Sequence, residues 1–159
     1  MDNQSFDEVY EKYGKMLYRT AFLYLGNSAD TEDALQEVFI KYLTARPAFN
    51  DAEHEKAWLI LVTRNCCRNL VKKNRKGSVP LEDFDAAEAG TDKDLKLDVV
   101  RQITALPPKY REIIILYYYN GYTIAEISKL LGLTMSGVKM RLKRAREQLK
   151  ISLEGYDNE

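Results

Sequence analysis

The first stretch of the chain repeats apolar and polar residues with the period of an amphipathic helix. Over residues 5 to 25, apolar side chains from Phe6 to Tyr24 recur three and four positions apart, which places them on one face of a helix. Gly26 follows at once and is typical of a helix end. The pattern therefore predicts a first helix that buries one face.

Two further helical patterns follow this one. Ser28 is the predicted N-cap of a second helix that runs to about Leu43, and its first turns carry acidic residues, where the helix dipole favours negative charge. A third pattern begins near Glu53 and continues through Leu70 until charged residues and Gly77 stop it. These segments predict a first domain of three helices, residues 1–76.

The composition changes between residues 77 and 94. This segment is poor in large apolar residues and rich in Gly, Ala, Asp and Glu, which is typical of a flexible acidic linker. Four more helical patterns follow, at residues 95–105, 108–119, 123–131 and 134–150. The chain is therefore predicted to be all-α, with two small helical domains, residues 1–76 and residues 95–159, joined by that linker.

The last two patterns have the form of a helix-turn-helix. Thr123 and Glu126 are spaced as a capping box, and a turn at Gly132 precedes the final helix. A helical wheel of that helix places an apolar face opposite an exposed face. It places Arg141 and Arg146 at the edges of the exposed face, where guanidinium groups are expected to meet phosphates. The alternative is an ordinary solvated helix that closes a small bundle. The exposed face comprises Ser136, Lys139, Met140, Lys143, Arg144 and Glu147.

Charge changes this picture, because a formal net charge of zero conceals a sorted pattern. Residues 1–63 contain 6 basic and 11 acidic side chains, residues 64–76 contain 6 basic and none acidic, residues 77–98 contain 2 and 7, and residues 99–159 contain 10 and 6. Two cationic blocks predict two surfaces for a polyanion, while an acidic face meets something else.

The third helix carries the first cationic block along one stripe. Its apolar residues occupy the opposite side, so the stripe faces solvent. A surface that merely aids solubility is the alternative interpretation. The stripe comprises Arg64, Asn65, Arg68, Lys72 and Arg75.

The second helix places an isoleucine on its polar side. Ile40 lies among acidic and amide residues, and burying it against a partner would contribute about 1.5–3 kcal/mol. An acidic rim around an apolar centre is typical of a protein interface, although a single exposed apolar residue is also normal. The neighbours of Ile40 on this side are Asp30, Asp33, Gln36 and Glu37.

The sequence contains few signals for an enzyme, a metal site or a membrane protein. Cys66 and Cys67 are adjacent, which suits neither a disulfide framework nor a zinc site, so we expect both to be reduced and structural. His54 has no partner that would make a catalytic pair, and we expect no enzyme activity, metal or cofactor. The N-terminus lacks an apolar signal segment, and the longest apolar run, Ile113 to Tyr119, is too short to span a bilayer. A cytoplasmic protein without membrane insertion is therefore expected.

Three segments resemble the extracytoplasmic-function σ factors of the sigma-70 family. They are ADTEDALQEVFIKYL, AWLILVTRNCCRNLVKKNRK and LPPKYREIIILYYYNGYTIAEISKLLGLTMSGVKMRLKRAREQLK, and they cover nearly the whole chain apart from the linker and the last residues. The resemblance implies a σ2 domain and a σ4 domain without the σ3 domain of larger relatives. It also implies a protein that binds RNA polymerase core, directs it to −10 and −35 promoter elements, assists melting and initiates transcription of stress or envelope-response genes.

The resemblance implies a role for each face. The site for the clamp helices of the polymerase β′ subunit would comprise Asp30, Asp33, Gln36, Glu37 and Ile40. The site for the −10 element would comprise Arg64, Asn65, Arg68, Lys72, Lys73 and Arg75. The helix read into the −35 major groove would present Ser136, Lys139, Met140, Arg141, Lys143 and Arg144, where Met140 departs from the family's usual serine and leaves the base preference open.

The resemblance also implies partners and a loop. Residues 46 to 55 match the family's base-capture loop, and the helices beside the recognition helix match a site for the polymerase β flap. An anti-σ factor is an expected partner of a chain that is monomeric when free. Two other functions compete with this interpretation. A stand-alone helix-turn-helix regulator would use residues 95–150 as a dimer, and a nuclease would need clustered metal ligands that the sequence lacks.

Overall fold

The chain forms two compact helical units. Its structure, a computed structural model, describes residues 3–45, 47–73 and 97–149, and all the regular elements in these ranges are helices. Contacts divide the chain into Met1–Pro80 and Leu81–Glu159. The all-α prediction with two domains is therefore confirmed. The predicted linker, its boundaries, and the residues Arg46 and Arg75 lie outside the described residues.

The first unit contains three helices, α1 (Asn3–Leu25), α2 (Ser28–Ala45) and α3 (Ala52–Lys73), and each packs against the other two. Its core contains the chain's two cysteines, which are buried without a disulfide. Burial raises the pKa of the Cys66 thiol, and the nearby negative charge of Glu37 adds to that effect. The largest fully buried side chains are Leu17, Phe22, Leu23, Val38, Leu59 and Ile60.

The turn between α1 and α2 differs by one residue from the prediction. Gly26 ends α1 with a positive φ of 80°, as its position indicated. The N-cap of α2 is Asn27, however, because its Oδ1 accepts a hydrogen bond of 2.8 Å from the backbone N–H of Asp30. Ser28, the predicted cap, is the first residue of the helix.

The second unit contains α4 (Leu97–Thr104), α5 (Pro108–Ile114), α6 (Ile124–Leu131) and α7 (Met135–Gln148). The helix α5 continues as a π-helical turn over Ile115–Tyr119, a feature that the helical pattern at residues 108–119 did not predict. The isoleucine run lies in the middle of the unit. Fully buried side chains here include Ile113, Ile114, Ile115, Leu116 and Ile127.

The predicted capping box and turn of the helix-turn-helix are confirmed. The Thr123 hydroxyl accepts from the backbone N–H of Glu126 at 3.1 Å, and the Glu126 carboxylate accepts from that of Thr123 at 2.9 Å. Gly132 adopts φ 68° after α6, and the Thr134 hydroxyl caps α7 by accepting from the backbone N–H of Gly137 at 2.9 Å. Capped at both ends of the turn, α7 is held in a defined direction against α5 and α6.

Candidate protein and nucleic-acid interfaces

The outer face of α2 combines acidic and amide side chains with one isoleucine. Asp33, Gln36 and Glu37 are exposed, and Ile40 is 57% exposed. These positions are spaced by three and four residues, so they form one continuous surface. The face keeps its negative character, because the ion pair of Glu37 with Lys41, whose Nζ lies 3.8 Å away, is exposed and therefore weak.

One predicted member of this face lies differently. Asp30 is half-buried, and its carboxylate accepts a hydrogen bond of 3.2 Å from the side-chain amide of Asn27. It therefore helps to build the start of α2. Its contact with a partner stays a prediction.

The sequence interpretation missed a second apolar residue on α2. Leu43 is 45% exposed, and it follows Ile40 by three positions, which places both on neighbouring parts of the helix surface. The spacing of three residues between Ile40 and Leu43 could have indicated this position, but the prediction from sequence used Leu43 only as the end of the helix. The apolar centre of the α2 face is thus larger than one side chain.

The cationic stripe of α3 has a structured part and a solvated part. Arg64 and Arg68 are half-buried, and the Arg64 guanidinium donates to the Asn65 side-chain oxygen at 2.9 Å. Lys72 and Lys73 are exposed in the last turn, where the helix dipole favours positive charge. A polyanion that approaches the end of α3 would meet these lysines first.

An aromatic cluster shapes the connection between α2 and α3. Phe49 lies in this connection, and its ring centroid is 6.4 Å from that of Tyr42, 5.9 Å from Trp58 and 5.2 Å from His54. The backbone N–H of Asn50 donates to His54 Nδ1 at 3.1 Å. Trp58 is half-buried in this cluster.

Glu55 joins the three helices below that cluster. Its carboxylate accepts hydrogen bonds from the hydroxyls of Tyr42 at 3.1 Å and Tyr13 at 3.3 Å. Burial, with the hydrogen bond to Glu55, raises the pKa of Tyr42 to about 12. Burial also raises the pKa of Tyr13, and Glu55 contributes to that shift. The end of α2 and the start of α3 are therefore joined to α1 at one carboxylate.

The outer face of α7 is polar and cationic, as the wheel predicted. Val138, Leu142 and Ala145 are buried on the inner side. Exposed on the other sides are Ser136, Lys139, Met140, Lys143 and Arg144. This surface also exposes a large apolar group, since Met140 is 48% exposed. Met135 is 47% exposed but lies about 140° away around the helix, outside this face.

Arg141 differs from the other cations of α7. Its Nη1 lies 3.8 Å from Oε2 of Glu112, a carboxylate whose side chain is only 2% exposed. A buried carboxylate needs a nearby positive charge or hydrogen-bond donors, so this contact joins α7 to α5. The predicted contact of Arg141 with DNA is not tested by this geometry and stays a prediction.

Arg146 is also engaged within its own unit. Its Nε donates to the Tyr118 hydroxyl at 2.6 Å, and its guanidinium lies over the rings of Tyr117 and Tyr118 at 5.8 and 5.6 Å. Both tyrosines belong to the π-helical turn. The turn thus presents the acceptor and the rings that hold the end of α7, a role for Arg146 that the sequence did not reveal.

Other kinds of site are not evident in the part of the chain that the structure describes. Within residues 3–45, 47–73 and 97–149, no group of three or more His, Cys, Asp or Glu side chains is arranged to bind a metal ion. The helices in the same ranges are too short or too polar to cross a membrane.

Comparison with known families gives two matches in the order expected. The family model described as sigma-70 region 2 matches residues 9–77, and the one described as sigma-70, region 4 matches residues 96–149. The first match contains most of α1 and all of α2 and α3, and the second contains the helix-turn-helix.

Individual relatives extend these matches along the chain. The ECF RNA polymerase sigma factor SigE of Mycolicibacterium smegmatis is 28% identical over 98% of this chain, which spans 64% of that relative. The RNA polymerase sigma factor SigZ of Bacillus subtilis is 33% identical over 78% of this chain and 73% of its own length. The solved structure of the sigma factor RpoE from Bartonella quintana, in complex with the anti-sigma factor NepR, has a TM-score of 0.68 at 19% identity over 92% of this chain and 95% of that one, and supports the fold.

Proposed function

The chain belongs to the extracytoplasmic-function group of the sigma-70 family, and from that membership we propose which of its surfaces carry each step of transcription initiation. Members of the family bind RNA polymerase and initiate transcription at specific promoters. In this chain, residues 1–76 would act as region 2, residues 95–159 as region 4, and residues 77–94 as the flexible linker between them.

The proposal rests on one observation. The exposed faces of α3 and α7 are cationic and belong to different compact units, whereas the exposed face of α2 is acidic around Ile40. Two separate cationic helices suit two separate segments of DNA, and an acidic rim around apolar side chains suits a protein surface. The described residues thus carry a candidate protein interface on α2 and candidate DNA interfaces on α3 and α7.

The α2 face is assigned to the clamp helices of the polymerase β′ subunit. Covering Ile40 and Leu43 would remove apolar surface from water, while the acidic rim would select a basic partner. The residues assigned to this contact are Asp30, Asp33, Gln36, Glu37 and Ile40.

The α3 stripe is assigned to the −10 element and to its melted strand. Its cations would hold the displaced strand, and bases taken out of the stack would be captured beside them, which offsets a cost of a few kcal/mol per unstacked base. The residues assigned are Arg64, Asn65, Arg68, Lys72, Lys73 and Arg75.

The α7 face is assigned to the major groove of the −35 element, with a contact to the β flap on the neighbouring helices. Lysine and arginine reach guanine edges there, and flanking cations meet phosphates. The residues assigned are Ser136, Lys139, Met140, Arg141, Lys143 and Arg144.

Because the two DNA-binding sites lie in separate units, promoter recognition would depend on a partner. Two weak DNA contacts gain from each other only when a rigid scaffold sets their spacing, so the free monomer would select promoters poorly and polymerase core would supply the scaffold. An anti-sigma factor is a proposed partner, since the RpoE structure above contains one. We propose a regulon of stress or envelope-response genes.

A reconstituted transcription assay tests the proposal. Run-off transcription on fragments of the source genome is compared for core polymerase alone, for the full chain alone, and for both together. The expected result is a discrete set of transcripts from the combination only. A specific footprint by the chain alone at physiological salt, unchanged by added core, would instead identify a stand-alone regulator.

A further inference from the structure

The exposed face of α7 has a large apolar side chain at its centre. Met140 is 48% exposed, and a rotation of about 100° per residue places it some 160° around the helix from both Val138 and Leu142. Those two side chains are 0% and 2% exposed. Met140 therefore points directly away from the core that holds the helix in place.

The surroundings of Met140 on this face are polar and positively charged. Ser136 and Arg144 lie four residues before and after it, on the same stripe, and Lys139 and Lys143 lie to one side. The first ligand that such a surface attracts is a polyanion. Duplex DNA that meets the cations of this face would also cover Met140.

The edges of the base pairs offer few partners for an apolar group. In the major groove, the bases present hydrogen-bond donors and acceptors, and thymine alone adds an apolar group, its C5-methyl. Serine, lysine and arginine side chains satisfy donors and acceptors, whereas a thioether cannot donate and accepts only weakly. Among the side chains on this face of α7, Met140 is thus the one suited to an apolar contact, and among the groups on the base edges the thymine methyl is the one that offers it.

We propose that Met140 is a specificity-determining residue that contacts the C5-methyl group of a thymine in the −35 element. The inference deepens the proposed function, because it takes α7 as the helix that enters the −35 major groove. Thymine and cytosine differ at this site in the methyl group and in the exocyclic group at C4. The contact would therefore favour a T·A pair over a C·G pair at one position that the cations of α7 do not read.

Replacing thymine with uracil isolates the contact. The full chain, bound to RNA polymerase core, first selects promoter fragments from its own genome, and each −35 thymine of a selected duplex is then replaced singly by deoxyuridine. This change removes one methyl group and keeps base pairing. At one position, holoenzyme binding should weaken up to about fourfold, the value expected for one buried methyl group.

Variants of the chain link that effect to Met140. In Met140→Ala, binding to the thymine duplex should weaken, and uracil at the sensitive position should cause no further loss; Met140→Leu should keep the sensitivity. The matched control is Met135→Ala, which removes an equally exposed methionine, 47% against 48%, that lies about 140° away around the helix. It should keep the uracil effect at the position read by Met140.

The outcomes separate this inference from the proposed function. Three results would overturn the role of Met140 while promoter selection by the holoenzyme remains. Uracil sensitivity could persist in Met140→Ala, wild-type binding could tolerate uracil at every position, or the selected −35 elements could lack thymine on both strands. Failure of the holoenzyme to select any promoter would overturn both.

Discussion

The outer faces of α2 and α7 are built alike but carry opposite charge. Each has a large apolar side chain opposite its buried stripe, Ile40 on α2 at 57% exposure and Met140 on α7 at 48%, and Leu43 extends the apolar centre on α2. Around Ile40 the charged neighbours are chiefly acidic, and around Met140 they are lysine and arginine. The difference between the two faces therefore lies in the rim and not in the centre.

This difference decides which partner each face can accept. A cationic rim attracts the phosphates of DNA, and the apolar centre then adds a local contact to a base. An acidic rim repels DNA, so the same apolar centre serves a protein surface. An exposed apolar residue thus gains meaning from the sign of the charges around it.

The largest expected effect comes from placing a charge at the centre of the α2 face. Ile40→Asp removes a contact worth about 1.5–3 kcal/mol if fully buried, and it adds a carboxylate that must be desolvated. Affinity for RNA polymerase core should fall about 10- to 100-fold. Competition binding to core measures the loss.

The control for this variant is a second aspartate on the same helix. Ala45 is exposed in the last turn of α2, and Ala45→Asp adds the same charge away from Ile40. It should leave core affinity within about twofold of wild type, and both variants should keep the circular dichroism of the native chain, since exposed changes rarely alter stability by more than about 0.5 kcal/mol. Equal affinity of wild type and Ile40→Asp would remove Ile40 from the interface.

A somewhat smaller effect is expected on the opposite face. Arg144→Ala should weaken holoenzyme binding to its preferred −35 element by about 1–3 kcal/mol and relax the preference at one base pair, if the guanidinium reads a base edge. Binding to a panel of −35 duplexes with single base changes measures both quantities. Arg101→Ala, a change of an exposed arginine on α4, is the matched control and should alter neither.

The pattern of the loss sharpens the comparison between the two faces. A uniform loss over all duplexes, with a salt dependence reduced by about one charge, would assign Arg144 to a phosphate. In that case the cationic rim of α7 would attract the DNA phosphates without recognising the base sequence. Only a change in base preference keeps Arg144 among the specificity residues.

Much of this arrangement could be predicted from the sequence, because it depends on local pattern. Helical spacing located the helices, the capping box at Thr123 located the turn before α6, and the wheel placed Ile40 and Met140 on exposed faces. Amphipathic periodicity reports which side of a helix is buried whatever it packs against. The candidate faces were therefore visible before the fold.

The features that escaped prediction depend on single residues or on other helices. Asn27 and Ser28 are both good caps, and periodicity does not resolve a shift of one residue. The contacts of Arg141 with Glu112 and of Arg146 with Tyr118 were not predicted, because α5 and the π-helical turn bring these partners close. A wheel describes one helix, so it cannot show which cation a neighbouring helix will engage.

The smallest expected effect concerns how the first unit holds the connection between α2 and α3. The Tyr42 hydroxyl donates to the Glu55 carboxylate at 3.1 Å, and burial with this hydrogen bond raises the pKa of Tyr42 to about 12 from 10.0. At pH 8 the phenol is neutral in the folded and unfolded chain alike. Tyr42→Phe should then cost about 1 kcal/mol or less, the contribution of one partly exposed hydrogen bond.

Alkaline pH should remove this advantage of the tyrosine. Since the pKa is raised by folding, the stabilising effect is complete below pH 10 and is lost as pH rises from 10 towards 12. The unfolding free energy of wild type should therefore fall relative to that of Tyr42→Phe over this window. Urea titrations followed by the fluorescence of Trp58, the only tryptophan and 6.0 Å from the Tyr42 ring, report on the first unit directly. A difference between the two proteins that stays constant from pH 8 to pH 11.5 would mean that neither burial nor Glu55 raises the pKa of Tyr42, and that the connection between α2 and α3 is held by packing alone.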